Sequence, residues 1–243
     1  MHVDPARARL LTPLAEAPGE SALVLDVDGT LAPIVARPEL SAVPDETRAV
    51  LVRLAERYRL VACVSGRAGD DARRLVGVPG IRVVGNHGLE LAPEAEALAH
   101  RIAAFRDEVG IPVEDKGLSL SYHYREAPDP MSAEAELRAV AARAEAAGLV
   151  PRWGRKVLEI RPPVEADKGT AVRALLAESG ARRGLYAGDD ATDLDAFAGL
   201  RAAGLDHAVC IAVASDEGPD SLTNAADLTV GSPIELADLL REL

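Results

Sequence analysis

Short apolar runs recur along this chain, and each stops at a small or acidic residue. Leu23-Val24-Leu25 ends at Asp26, Val61-Ala62-Cys63-Val64 at Ser65, and Leu185-Tyr186-Ala187-Gly188 at Asp189. Runs of this kind predict strands buried on both faces, as in a parallel sheet. The pattern predicts strands over 22–26, 60–64, 81–84, 185–188, 208–213 and 227–230. Apolar residues at helical spacing predict intervening helices over 44–58 (Val50, Leu51 and Leu54 inward), after Arg67 through Arg74, over 167–178, after Thr192 and over 233–240. Thr192 is a candidate N-cap, with Leu194 and Phe197 on the inner face of its helix. Residues 1–20 predict a short helix and a Pro-Gly turn, and 33–44 a proline-punctuated loop. Alternating strand, loop and helix predict an α/β chain with a doubly wound parallel sheet.

The pattern changes in the middle. Residues 93–109 predict one amphipathic helix and 131–147 another, rich in Ala and Glu. Over 113–124, Leu118, Leu120, Tyr122 and Tyr124 alternate with Ser119, Ser121, His123 and Arg125, which predicts a half-exposed strand of an antiparallel or mixed sheet. A further extended segment runs over 149–161 and closes on Pro162-Pro163. Residues 90–163 therefore predict an α/β cap inserted into a core made of 1–89 and 164–243.

Composition narrows the choices. Hydrophobic residues make up 48% of the 243 positions but aromatics only 3%, so the core must be built from Ala, Val and Leu. A net charge of −12 argues against nucleic acid as a partner. Cys63 and Cys210 both lie in apolar runs without metal-ligand or redox spacing, and read as small buried hydrophobes. The N-terminal stretch has no apolar signal core, and no run reaches membrane-spanning length. These features predict a reduced, soluble, cytoplasmic protein, with a monomer as the default.

The chemistry-bearing residues fall at strand ends and helix starts. A buried strand has no use for carboxylates in its middle, so Asp26 and Asp28 belong where the first strand ends, the edge at which open α/β sheets bind ligands. Gly29 permits a sharp turn, and Thr30 can offer a hydroxyl and an N–H to an anion. Two such close aspartates repel unless a proton or cation lies between them, which points to a hard divalent metal, most simply Mg²⁺. Ser65 follows the second strand, Lys168 opens a helix, and Asp189 and Asp190 follow a later strand. In a parallel sheet these ends open at one edge. Phosphate-monoester transfer explains the set, with Asp26 as nucleophile, Asp28 as general acid and base, and Ser65 and Lys168 on the phosphoryl oxygens. Asp26, the backbone carbonyl of Asp28, and Asp189 are the expected metal ligands, with Asp190 and Asp193 tuning the ion from behind them.

Asp-x-Asp-Gly-Thr-Leu after an apolar strand, followed in order by Ser65, Lys168 and Asp189-Asp190, resembles the four motifs of the haloacid dehalogenase (HAD) phosphatases. With Val-Ser-Gly-Arg at 64–67, Asn-His-Gly-Leu-Glu at 86–90, Glu114-x-Lys116 with His123-Tyr124-Arg125, and Glu159-Ile160-Arg161-Pro162, the chain from about residue 22 onward resembles the trehalose-6-phosphate phosphatases. The resemblance implies a Rossmann-like core, a C2-type cap, and Mg²⁺-dependent hydrolysis of trehalose 6-phosphate to trehalose and phosphate through an aspartyl-phosphate. It implies sugar-reading by Glu159, Lys116, Ser119 and His123 of the cap and by Arg67, Asn86 and His87 of the core. Val27, Asn86 and Leu194 depart from residues common in that family. Another disaccharide or pseudo-sugar phosphate as substrate, such as sucrose 6-phosphate or a trehalose-like aminocyclitol phosphate, and a non-catalytic sugar-phosphate sensor or synthase partner are the alternative readings.

Overall fold

The computed structural model describes residues 5–35, 40–109, 112–154, 156–215 and 218–243. Its contacts divide the chain into two units, residues 1–88 with 166–243, and residues 89–165.

The first unit is built on a six-stranded parallel sheet. Its strands are β1 (Ser21–Leu25), β2 (Leu60–Val64), β3 (Arg82–Val84), β8 (Arg183–Gly188), β9 (His207–Val213) and β10 (Leu228–Val230). Their spatial order is β10-β9-β8-β1-β2-β3. From β1 the chain winds outward through β2 to β3, then returns to pair β8 with the other side of β1. β1 is therefore the switch point of a doubly wound sheet, where a crevice opens at the carboxyl ends of the strands. All five residues of β1 are buried, which is why it reads as a continuous apolar run. Helices α1 (Pro5–Glu16), α2 (Asp45–Arg57), α3 (Gly69–Val76), α7 (Lys168–Ser179), α8 (Asp193–Arg201), α9 (Asp220–Ala225) and α10 (Pro233–Leu240) complete this unit. The core joins Leu14, Leu23, Leu25, Leu51, Leu54, Leu185, Val209, Ile211 and Leu236, among others. Cys63 and Cys210 are buried thiols within β2 and β9, and burial pushes Cys210 up to about 12.

The second unit carries a four-stranded antiparallel sheet in the order β4-β5-β7-β6, from β4 (Glu114–Asp115), β5 (Leu120–His123), β6 (Val150–Gly154) and β7 (Val157–Arg161). Helices α4 (Pro93–Ala97), α5 (Ala99–Val109) and α6 (Pro130–Ala146) accompany it. Leu120, Tyr122, Leu158 and Ile160 share one sheet face and pack with Ile102, Phe105, Leu137 and Val140 of α5 and α6.

The structure corrects five expectations, four of them in this unit. The single helix over 93–109 is two, broken at Leu98, where backbone bonds close three residues back, and no Gly or Pro marks the break. The strand over 113–124 is a hairpin: Asp115 accepts from the Gly117 N–H at 2.8 Å, Gly117 takes a φ of +77°, and Lys116 N–H bonds back to Ser119. The extended segment over 149–161 is also a hairpin, with Lys156 in the left-handed region at its turn. Nor is the alternating strand half-exposed along its length, because Ser119 and Ser121 are buried. The fifth correction lies in the core: Thr192 makes no side-chain cap to α8, and its hydroxyl donates instead to Asp190 at 2.6 Å.

Candidate active site

The carboxyl ends of β1, β2, β3 and β8 bring the core candidates together. Asp26 immediately follows β1 and is buried. Lys168 is the first residue of α7, whose start is set by a reciprocal cap between Asp167 and Thr170. Lys168 Nζ lies 2.7 Å from Asp26 Oδ1 and 2.7 Å from Asp193 Oδ1. Glycines make this approach possible. A Cβ on Gly169 would stand 2.3 Å from the Asp195 carbonyl oxygen, and one on Gly199 2.4 Å from that of Gly169, so α7 and α8 cross backbone to backbone.

Asp193 is saturated. Its Oδ1 accepts from Lys168 and from the Tyr186 hydroxyl at 2.6 Å, and its Oδ2 accepts from the backbone N–H groups of Asp189 and Asp190 at 2.9 Å each. Four donors fill the lone-pair capacity of a carboxylate. Although its oxygens lie within 4.8 Å of those of Asp26 and Asp189, Asp193 is thus a scaffold for the lysine rather than a free ligand.

Asp189 differs. Its Oδ1 has a long hydrogen bond of 3.4 Å from Thr30, and a Cβ on Gly29 would fall 2.1 Å from its Oδ2. Gly29, at a φ of +86°, is what lets the Asp28-Gly29 backbone lie against this carboxylate. Burial, then Asp193 and Asp190, push the Asp189 carboxyl up to about 7. Asp190 goes the other way: burial would raise it, but Lys168 and two hydrogen bonds from Thr192 hold it below the ordinary carboxylate range. Burial likewise raises Asp26 against the pull of Lys168. Burial acts to discharge Lys168, yet Asp193 and Asp26 keep its ammonium well above the usual lysine range. Several buried carboxylates around one ammonium are short of positive charge. Asp26 and Asp189 therefore fit a hard divalent cation, which supplies the missing charge and takes oxygen ligands.

Asp28 is held by a two-pronged ion pair, Arg67 Nε to Oδ2 at 2.6 Å and the second Arg67 prong to Oδ1 at 2.7 Å, with Ser41 Oγ donating at 3.1 Å. Ser65, after β2, is buried, and its Oγ accepts from the Arg67 N–H at 3.2 Å. Asn86 and His87 follow β3 with φ of +52° and +50°, a left-handed pair closed by hydrogen bonds from their N–H groups to the Arg67 and Ser65 carbonyls. Gly66 has no side chain because the His87 ring occupies that space: a Cβ there would stand 2.5 Å from Nε2.

The candidates of the second unit lie on the second face of the β4-β5-β7-β6 sheet or, for Lys116, in the β4–β5 turn. Glu159 is buried on β7, accepts from Ser119 Oγ at 2.9 Å, and has Lys116 Nζ and Arg161 Nε each at 4.0 Å. His123 is exposed at the end of β5, its Nε2 at 2.7 Å from Glu114. Sequence reasoning missed Tyr186 and Ser41 as members of these clusters. Tyr186 had one signal, a phenol inside a buried strand, which needs a partner. Ser41 had none.

A doubly wound parallel sheet, an inserted α/β unit, and a buried aspartate–lysine–aspartate centre at the switch point define an α/β core of the HAD type. The model of the trehalose-phosphatase family matches residues 24–231, and the chain belongs to that family. A Mycobacterium tuberculosis protein called an uncharacterized glycosyl hydrolase is 37% identical over 91% of this chain, which spans only 18% of that protein. The trehalose-phosphate phosphatase of Mycobacterium avium is 36% identical over 91% of this chain and 61% of its own length. Trehalose 6-phosphate phosphatase RA3 of Zea mays is 33% identical, with 95% of this chain and 72% of the relative covered. The chain thus spans less than two thirds of several of the relatives it matches. The fold is shared with a solved trehalose-6-phosphate phosphatase related protein (TM-score 0.75, 24% identity, 91% and 96% of the two chains). It is also shared with the C-terminal domain of the C. albicans trehalose-6-phosphate phosphatase (TM-score 0.74, 21% identity, 96% and 94%). Among the described residues, no helix is long and apolar enough to cross a membrane.

Proposed function

We propose that this chain hydrolyses trehalose 6-phosphate to trehalose and phosphate, acting as a monomer on a small sugar phosphate. The observation that carries the reading is the buried Asp26–Lys168–Asp193 cluster at the carboxyl end of β1. Asp26 is the nucleophile: its carboxylate attacks phosphorus, the ester bond breaks, and an aspartyl-phosphate remains on Asp26. Lys168 and the Ser65 hydroxyl bind the phosphoryl oxygens as negative charge moves onto them. Asp28 protonates the departing sugar alkoxide and then takes a proton from the water that attacks the aspartyl-phosphate. Asp26, the Asp28 carbonyl and Asp189 would hold Mg²⁺, whose charge offsets the repulsion between carboxylate and phosphate. Asp190 and Asp193 support that site from behind. Glu159, Lys116, Ser119 and His123 of the cap, with Arg67, Asn86 and His87 of the core, recognise the sugar.

The test is Mg²⁺-dependent phosphate release from trehalose 6-phosphate, sucrose 6-phosphate, glucose 6-phosphate and p-nitrophenyl phosphate. A strong preference for trehalose 6-phosphate that chelation abolishes supports the reading. Turnover of p-nitrophenyl phosphate alone would retain the phosphatase and discard the sugar. No turnover of any ester would favour a sugar-phosphate sensor.

A further inference from the structure

Tyr186 lies on β8, wholly buried, three residues before Asp189. Its ring meets Phe197 edge-on at 6.0 Å, a contact phenylalanine would make equally well. The hydroxyl needs a separate explanation. It donates to Asp193 Oδ1 at 2.6 Å, the same oxygen that accepts from Lys168 at 2.7 Å. Lys168 also stands 2.7 Å from Asp26. The ammonium is therefore divided between the nucleophile and an oxygen whose charge is already shared with a phenol. Without the phenol, Asp193 Oδ1 would present its full charge to Lys168 alone and draw the ammonium toward α8. Burial and the Asp193 carboxylate keep the phenol well above the ordinary tyrosine range, so it remains a proton donor.

We propose that Tyr186 is a positioning residue for phosphoryl transfer, its hydroxyl acting through Asp193 to hold the Lys168 ammonium where it reaches both Asp26 and the phosphoryl oxygens. The inference rests on the phosphatase reading above. It predicts that the hydroxyl controls phosphate binding independently of the ring's contribution to stability.

The test compares wild type, Tyr186→Phe and Phe197→Leu by steady-state phosphate release, by the inhibition constant of inorganic phosphate, and by thermal melting. Tyr186→Phe should lower kcat/KM about 10-fold and raise the phosphate inhibition constant in step, the effect of misplacing one charge-assisted contact. Phe197→Leu should melt earlier and keep both kinetic constants within about twofold. Wild-type constants in Tyr186→Phe would overturn the proposal, as would equal kinetic losses in both variants, which would assign the effect to packing. If Tyr186→Phe does not fold, 3-fluorotyrosine placed at 186 keeps the shape and strengthens the donor. The phosphate inhibition constant should then fall about twofold, and an unchanged constant overturns the proposal. A wild type inactive on every ester would remove the phosphatase reading itself, a result distinct from an active wild type indifferent to Tyr186.

Discussion

Two buried charged clusters, one in each unit, are built to different tolerances. In the core, Lys168 meets two carboxylates at 2.7 Å, and Asp193 has every lone pair engaged. On the cap sheet, Glu159 has a 2.9 Å hydrogen bond from Ser119, but its ion pairs with Lys116 and Arg161 are at 4.0 Å. Coulomb attraction between buried charges rises steeply at short range and low dielectric, so the core cluster fixes atoms in place. The ion pairs described for Glu159 are longer, and attraction at 4.0 Å constrains geometry less than at 2.7 Å. The proposed function would place the reaction in the first unit and contributions to sugar recognition in the second.

The sharpest way to break this division is Asp26→Asn. With the proposed nucleophile gone, turnover of every phosphate ester should fall by roughly 10⁴-fold or more, while the circular dichroism spectrum is retained. Surviving turnover would remove Asp26 from the chemistry. Next in size is Glu159→Gln, which keeps the volume but not the charge. It should cost about 10- to 100-fold in kcat/KM on trehalose 6-phosphate and less than about threefold on p-nitrophenyl phosphate, as expected for loss of a site that binds substrate hydroxyls. Equal losses on both esters would take Glu159 out of sugar recognition.

Arg67→Lys tests the link between Asp28 and the leaving group. A lysine keeps the charge but not the two-pronged hold. Turnover of the sugar phosphate, whose alkoxide needs a proton, should fall about 10-fold, and turnover of p-nitrophenyl phosphate should change little because its leaving group departs unassisted. The smallest expected effect concerns stability. Burial raises Asp189 from its ordinary 3.8 to about 7, so the folded chain holds a proton there that the unfolded chain has lost. The stability this group contributes is complete below about pH 4 and lost as pH rises through about 7. Metal-free protein should therefore melt a few degrees lower at pH 8 than at pH 5.5, with a flatter profile in Asp189→Asn. Added Mg²⁺ should restore the loss at pH 8 in the wild type alone. A pH profile identical in wild type and Asp189→Asn would remove Asp189 as the source.

The core was legible in the sequence because its signals are local. Apolar runs ending in Asp or Ser mark strands and their functional ends, and β2 and α10 run over the predicted residues. The cap was less legible. Its hairpin turns rest on Gly117 and Lys156 in the left-handed region, and the lysine carries no turn signature. The burial of Ser119 and Ser121 was hidden because alternation records polarity, and a polar residue is buried when partners such as Glu159 are supplied from another strand.

The order of the six core strands, the doubly wound class and the candidate residues at their ends follow from the sequence by itself, since each depends on spacing within a few positions. Which oxygen meets which nitrogen was decided only by tertiary structure. Lys168 reaches Asp26 and Asp193 across 142 and 25 residues, and Arg67 reaches Asp28 across 39. Those pairings exist because parallel strand ends converge at β1 and because Gly169 and Gly199 let two helices approach without side chains between them. Backbone packing of that kind is a property of the whole fold, and no short stretch of the chain encodes it.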